Sequence, residues 1–234
     1  MASTKQLPIG IDNFKTLIDN NYYFVDKTLM IRDVIHNIGM VNLYTRPRRF
    51  GKTLNISMMQ YYFEKSAEDN SYLFDSLHIS TAGEQYRAYM GKYPVISLSL
   101  KSMKQDTFEQ AFFEFKTLMM QEFIRHENAV KSANIAKGLM DRYRAIADGT
   151  AEDALYPTSI RLLCDCLRTA YDQKVIILID EYDVPLENAH FNGFYDRMTG
   201  LIRSVFESAL KTNPSMEFAV LTGCLRVSKE SIFT

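Results

Sequence analysis

The residues best suited to chemistry in this 234-residue sequence are Gly51, Lys52 and Thr53, which follow an apolar segment and precede a helical pattern. A glycine lets the backbone approach a ligand, a lysine can reach the β- and γ-phosphates, and a threonine hydroxyl can bind Mg²⁺. Backbone N–H groups and the positive end of the helix dipole would point at the same spot. This P-loop arrangement predicts that a nucleotide is bound by Arg49, Phe50, Gly51, Lys52, Thr53 and Leu54.

The loop departs from the pattern G-x-x-x-x-G-K-S/T at its first position, where Arg46 replaces glycine. The alternative interpretation is an exposed basic turn formed by Arg46-Pro47-Arg48-Arg49. A turn would explain the proline. It would not explain Lys52 and Thr53 at a helix start, because a cation there opposes the helix dipole unless an anion is bound.

A second chemical feature, Asp180-Glu181, follows the five aliphatic residues 175–179. Such a run is typical of a strand buried on both faces of a parallel sheet, and ligands bind at the carboxyl edge of such sheets. Asp180 is predicted to hold Mg²⁺ together with Thr53. Glu181 is predicted to polarise the water that attacks the γ-phosphate, with Lys52 as a second catalytic residue. The alternative is a strand end that merely carries acidic residues.

Position alone suggests two further catalytic residues, Thr222 and Arg226. Thr222 ends the next predicted strand, where its hydroxyl could lie between the attacking water and the γ-phosphate. Arg226 follows four residues later and could stabilise charge in the transition state.

Strands and helices alternate along the chain, which predicts a three-layer α/β fold with a mostly parallel sheet. The strands are predicted at Met40–Tyr44, Val95–Leu100, Val175–Ile179 and Phe218–Leu221. In an additional-strand ATPase order, we expect the Asp180 strand beside the P-loop strand and the Thr222 strand on its other side. Aromatic residues at 22–24 could stack near a nucleotide base, although core packing is the interpretation we favour.

The composition excludes several classes of protein. Hydrophobic residues at 47% and charged residues at 24% are ordinary globular values and argue against disorder. A net charge of −1 gives no general attraction to nucleic acid or anionic membrane, so the basic loop is the predicted polyanion site. Three cysteines and four scattered histidines favour neither disulfides nor a zinc site. With no membrane-length apolar run, we expect a cytoplasmic protein without membrane contact.

Five motifs together resemble the bacterial family of predicted AAA-ATPase-like proteins. They are Leu7-Pro8-Ile9-Gly10, Tyr23-Phe24-Val25-Asp26-Lys27-Thr28, Arg46-Pro47-Arg48-Arg49-Phe50-Gly51-Lys52-Thr53, Leu178-Ile179-Asp180-Glu181-Tyr182-Asp183, and Leu221-Thr222-Gly223 through Arg226 to Phe233. The resemblance implies a P-loop NTPase fold of the additional-strand type, with ATP and Mg²⁺ as cofactors. It also implies that Arg46 is a family trait.

The resemblance further implies one ATPase-like domain over residues 1–234, with an N-terminal segment at 1–39 and a nucleotide-binding core at 40–234. Family members generally continue into a helical lid and often a PD-(D/E)xK nuclease-like domain, so we expect the sequence to end before the lid. DNA is then an indirect partner through such a nuclease, and self-association into a homo-oligomer is possible.

The expected activity is Mg²⁺-dependent ATP binding with slow hydrolysis. An alternative from another class is a nucleotide-gated binding module with negligible turnover. A phosphotransferase is a weaker third interpretation, because no acceptor pocket is evident in the sequence.

Overall fold

A parallel β-sheet forms the centre of the molecule. The computed structural model describes residues 5–37 and 39–224, and these contain four strands and ten α-helices. The strands are β1 (Val41–Thr45), β2 (Val95–Ser99), β3 (Val175–Asp180) and β4 (Met216–Gly223). The helices are α1 (Phe14–Asp19), α2 (Leu29–Asn37), α3 (Lys52–Phe63), α4 (Glu84–Arg87), α5 (Phe108–Arg125), α6 (Glu127–Lys131), α7 (Lys137–Ala147), α8 (Ser159–Tyr171), α9 (Val184–Phe191) and α10 (Tyr195–Leu210).

The strands lie in the order β1-β4-β3-β2, and each neighbouring pair is parallel. The predicted α/β class and parallel sheet are confirmed. The predicted neighbours were wrong, because β4 separates the P-loop strand β1 from the acidic strand β3. Parallel strands are joined through helices, so chain order does not determine which strands are neighbours. Since Ile179 pairs with Leu221, the next residues, Asp180 and Thr222, end neighbouring strands at one edge.

Helices cover both faces of the sheet and form two hydrophobic cores. Along β3, Ile177 and Ile179 pack with residues of α5, α7, α8 and α10. The alternating Ile176 and Leu178 pack on the other face with residues of α1, α2 and α3. All six residues of β3 are buried, as the apolar run predicts. The result is a helix–sheet–helix arrangement, as the predicted three-layer fold requires.

Strand β1 differs from the other strands because all of its residues are only half-buried. In this sheet it pairs with β4 on one side and forms the edge.

The longest helix, α5, has 18 residues and carries Glu109, Lys116 and Glu122 among its apolar residues. Within the two described ranges, no helix combines the length and apolarity needed to cross a membrane.

Candidate functional site

The predicted strand, basic loop and helix follow each other as expected: β1 leads through loop 46–51 into α3. Gly51 is the N-cap residue of α3 and adopts a left-handed conformation with φ 75°. Because glycine has no side chain to cap a helix, the first N–H groups of α3 remain available to a ligand. The Arg46 N–H donates to Gly223 O at 3.0 Å and ties the loop to β4.

The Lys52 side chain lies under this loop and is only 8% exposed. Its ammonium donates to Arg46 O at 2.9 Å and to Pro47 O at 3.1 Å, and lies 3.3 Å from Cys224 Sγ. These contacts hold the charge between the loop and the carboxyl edge of the sheet. A cation in this place, at the positive end of α3, is suited to binding an anion.

Asp180 lies at the end of β3 with 1% of its surface exposed. One carboxylate oxygen accepts a hydrogen bond from Thr53 Oγ1 at 2.6 Å, and the other accepts one from Thr222 Oγ1. The structure therefore brings together both predicted metal ligands, Thr53 and Asp180. A hydroxyl and a carboxylate are hard oxygen donors, which fits Mg²⁺ completed by phosphate oxygens and water.

Glu181 follows in a conformation with φ 52°, which is unfavourable for a residue with a side chain. The turn is fixed because the Tyr182 N–H donates to Thr222 O at 3.0 Å and the Val184 N–H donates to Glu181 O at 3.1 Å. Left-handed residues of this kind concentrate at functional sites. Glu181 lines the same cavity as Lys52 and Thr53.

These residues surround one open cavity of about 540 Å³. Six of its lining residues were predicted from the sequence, namely Arg49, Gly51, Lys52, Thr53, Leu54 and Glu181. Others were missed, namely Gly10, Ile11, Asp12, Lys101, Lys104, Val184, Glu187 and Cys224. Arg48 also lines the cavity and pairs with Glu187 at 3.3 Å. Positive side chains from three parts of the chain thus face the same space, as a polyanion site requires.

Other predicted site residues lie elsewhere. Asp180 and Thr222 are buried beneath the cavity. Asp180 accepts a hydrogen bond from Thr53, which lines the cavity, and a second one from Thr222. Phe50 is exposed on the loop and lines a neighbouring cavity instead. Arg226 lies outside the described residues.

The two missed lysines could have been found from their position in the sequence. Lys101 and Lys104 follow β2, in and just after a 3₁₀ turn over Leu100–Ser102. This places them at the carboxyl edge of the sheet, where the ends of parallel strands meet. Applying that rule to every predicted strand would have identified them.

Lys27 was also missed as a site residue, although the sequence placed it in the Asp26-Lys27-Thr28 motif. Its ammonium donates to Phe50 O at 3.2 Å and so braces the basic loop. Asp26 anchors this motif: it accepts hydrogen bonds from Thr28 N at 2.8 Å and His78 N at 2.7 Å. Burial alone would raise the pKa of the Asp26 carboxyl, but hydrogen bonds from Thr28 and His78 outweigh burial and hold that pKa below its usual value.

Gly223 permits the close packing of β4 against the turn after β3. A Cβ at this position would lie 2.7 Å from Asp183 Oδ1 and 2.7 Å from the Tyr182 ring, and both side chains are buried. We expect Gly223→Ala to lower the free energy of unfolding by about 1–3 kcal/mol, because the buried neighbours must shift. Urea unfolding measures this change.

The matched control is Gly200→Ala within α10, where a new Cβ would meet no described atom within 4 Å outside its helix backbone and chain neighbours. Alanine is the better helix former, so we expect this variant to be as stable as the parent or more stable by up to about 1 kcal/mol. Equal losses in both variants would contradict the proposed clash at Gly223.

A parallel sheet with a strand–loop–helix that carries Lys52 is consistent with a P-loop-like fold. Residues 8–233 match the family described as "Predicted AAA-ATPase", and the chain therefore belongs to this AAA-ATPase-like family. The family resemblance predicted from the five motifs is confirmed.

One curated relative is the "Uncharacterized protein in vnfD 5'region" of Azotobacter chroococcum mcd 1. It is 25% identical over 238 residues, which cover 99% of this chain and 40% of the relative. The chain thus spans well under half the length of that protein. No solved structure matches the chain at a significant level.

Proposed function

We propose that this chain binds ATP with Mg²⁺ in the cavity between the basic loop and the carboxyl edge of the sheet, and that it hydrolyses the γ-phosphate. The observation that carries the proposal is the convergence of three features in one place. These are the buried Lys52 ammonium, the uncapped start of α3, and the Thr53 hydroxyl 2.6 Å from the Asp180 carboxylate. Membership of the AAA-ATPase-like family supports the same activity.

In this proposal the loop and α3 hold the triphosphate. Phosphate oxygens accept hydrogen bonds from the first N–H groups of α3 and replace a carbonyl acceptor of the Lys52 ammonium. Arg48, Arg49, Lys101 and Lys104 add positive charge around the cavity. These cations offset the charge of a polyphosphate and give the site its preference for anions.

Thr53 and Asp180 are the residues that would hold Mg²⁺, which neutralises charge on the phosphates when it is bound. Thr222 has a positioning role in this proposal, because its hydroxyl is buried against Asp180 and directs that carboxylate toward Thr53. The sequence suggested that Thr222 lies between water and the γ-phosphate. Its hydrogen bond to Asp180 favours the positioning role.

Glu181 acts as the general base. Its carboxylate accepts a proton from a water molecule as the water oxygen forms a bond to the γ-phosphorus. The bond from phosphorus to the bridging oxygen breaks, and ADP and inorganic phosphate leave. Two observations support this role: Glu181 has a left-handed backbone with φ 52°, and it lines the cavity together with Lys52 and Thr53.

The additional-strand type of ATPase fold is also part of the proposal. The type is defined by a strand inserted between the P-loop strand and the acidic strand, and β4 lies there between β1 and β3. The neighbours expected from the sequence were therefore wrong because they took β3, and not β4, as the strand beside β1. This insertion supplies the Thr222 hydroxyl to Asp180, and a direct β1–β3 pairing would not place β4 there.

Lys52→Ala tests the phosphate-binding part of the proposal. A charged hydrogen-bond donor contributes about 1.5–3 kcal/mol, so we expect the variant to bind ATP–Mg²⁺ at least tenfold more weakly. Isothermal titration calorimetry measures the affinity, and circular dichroism checks that the variant is folded. Lys174→Ala is the control, because Lys174 precedes β3 at the opposite edge of the sheet. Unchanged affinity in Lys52→Ala would contradict the proposal.

A further inference from the structure

A second cavity, of about 350 Å³, adjoins the phosphate cavity on the other side of the basic loop. Arg49, Gly51 and Leu54 line both. The remaining lining is mostly apolar and comes from the N-terminal segment, the loop and α3, namely Pro8, Leu17, Tyr23, Phe24, Val25, Lys27, Phe50 and Asn55. A ligand anchored at Lys52 could therefore extend into this apolar space without leaving the protein surface.

Two aromatic residues that line this cavity are exposed. Tyr23 is 52% exposed and Phe50 is 54% exposed. Phe24, between them and the core, packs edge-on against the buried Phe14 ring with centroids 5.5 Å apart. Core packing therefore accounts for Phe24 but leaves the rings of Tyr23 and Phe50 with large uncovered surfaces. Exposed aromatic rings beside a phosphate site are suited to stacking on a flat base.

The backbone around Tyr23 is held in place, which makes this a formed site. The Tyr23 N–H donates to Gln6 O at 2.8 Å and joins the two N-terminal segments that form the cavity wall. On the opposite wall, the Lys27 ammonium holds Phe50 O at 3.2 Å. Both rings are thus attached to segments that are tied to the rest of the fold.

We propose that this second cavity binds the base of the nucleotide, and that the base is adenine stacked by Tyr23 and Phe50. The inference rests on the proposed function, since it identifies the base bound by the same triphosphate site. It assigns a role in ligand recognition to Tyr23, one of the aromatic residues 22–24 for which the sequence favoured core packing.

The polar groups of the cavity favour adenine over guanine. In the described part of the chain, its polar side chains are those of Tyr23, Lys27, Arg49 and Asn55, and no carboxylate lines it. The Asn55 amide offers one acceptor and a donor, which match the amino group and a ring nitrogen of adenine. The adjacent ring N–H and amino group of guanine are both donors and require two acceptors, which a carboxylate provides and the two cations do not.

The experiment compares three probes, ATP, GTP and inorganic tripolyphosphate, each with Mg²⁺, by calorimetry on the full chain. We expect ATP to bind at least tenfold more tightly than GTP or tripolyphosphate. Stacking on one ring is worth about tenfold or more in affinity, so Phe50→Ala is expected to weaken ATP binding by that factor. Its tripolyphosphate affinity should stay within twofold of the parent, which shows that the loop is intact. Phe113→Ala is the control, because Phe113 is an exposed phenylalanine on α5, and this variant should bind all three probes like the parent.

A specificity variant provides a second, internally controlled test. Asn55→Asp supplies the carboxylate that guanine requires, so we expect the ratio of ATP to GTP affinity to fall at least tenfold whatever happens to absolute affinity. Equal affinity of the parent for ATP and tripolyphosphate, with no differential effect of Phe50→Ala, would overturn the base site and leave the phosphate site standing. Failure of all three probes to bind would overturn the proposed function and this inference with it.

Discussion

Replacing Glu181 with glutamine is expected to reduce ATP turnover by about 10²–10⁴-fold, the usual contribution of general-base catalysis. Glutamine has the same size and keeps the left-handed turn at this position, but it cannot accept the proton of the attacking water. Because Glu181 contributes no proposed contact to bound phosphate, the affinity for ATP–Mg²⁺ should stay within about threefold of the parent. Steady-state phosphate release and calorimetry measure the two quantities.

Glu187→Gln is a matched control for this experiment. Glu187 lines the same cavity but belongs to α9 and pairs with Arg48 at 3.3 Å. Removing its charge changes the electrostatic potential of the cavity to a similar extent without removing the proposed base. We expect the control to retain turnover within about tenfold, since exposed ion pairs contribute little. A similar loss in both variants would indicate a general charge effect instead of base catalysis.

The same measurement separates the two classes of function that the sequence left open. If the parent and Glu181→Gln both bind ATP and both release phosphate at the same near-zero rate, the chain is a nucleotide-gated binding module. In that case the Lys52 site would remain, and the role of Glu181 as a base would be rejected. The phosphotransferase interpretation would require an acceptor whose addition increases ADP release by the parent but not by Glu181→Gln.

The sequence predicted the parts of the site that depend on local pattern. The Gly51-Lys52-Thr53 turn was recognisable because a glycine with positive φ and a helix start must follow each other in the chain. The five aliphatic residues 175–179 of β3 predicted a central strand, since such a run is typical of a strand buried on both faces. The proximity of Thr53 and Asp180 followed from placing both at the carboxyl edge of one parallel sheet.

Features that depend on tertiary contacts were not predictable in this way. The position of β4 between β1 and β3 depends on how the helices pack across the sheet, and no local sequence pattern determines that packing. Lys27 contacts Phe50 O across 23 residues of sequence, and periodicity gives no indication of that contact. The exposed ring of Tyr23 and the packed ring of Phe24 are adjacent in an aromatic run, so composition could not distinguish their roles.

The surroundings of the Asp180 carboxylate favour a bound cation. It is almost completely buried, and within residues 5–37 and 39–224 its side-chain hydrogen bonds come from two neutral hydroxyls, those of Thr53 and Thr222. A buried carboxylate with neutral donors is costly compared with one that has a cation beside it. Bound Mg²⁺ would supply that cation, so the proposed site gains part of its affinity from relieving this cost.

Replacing Asp180 with asparagine is therefore expected to remove most of the stabilisation that Mg²⁺–ATP gives the protein. At a ligand concentration of 100 times Kd, the parent should gain about 2.7 kcal/mol in free energy of unfolding. Mutating even an outer-shell partner of a metal ligand weakens metal affinity by about 10–100-fold, and we expect loss of the ligand itself to lie at or beyond the upper end. A 100-fold weaker variant should gain only about 0.4 kcal/mol at the same concentration. Urea unfolding with and without Mg²⁺–ATP measures both gains.

Two controls make the Asp180→Asn result specific to the metal. With ATP and excess EDTA, the parent should gain no more free energy of unfolding than the Asp180→Asn variant gains with Mg²⁺–ATP. The metal contact is missing in both cases. Asp165→Asn removes a carboxylate on α8 that accepts from Ser215 Oγ at 2.7 Å, near the start of β4 and far from the cavity, and should keep the full gain. An Asp180→Asn variant that is stabilised as much as the parent, and still only when Mg²⁺ is present, would show that another group holds the metal. Since Asp180 lies against Thr53, that result would also remove the main structural support for Thr53 as a metal ligand.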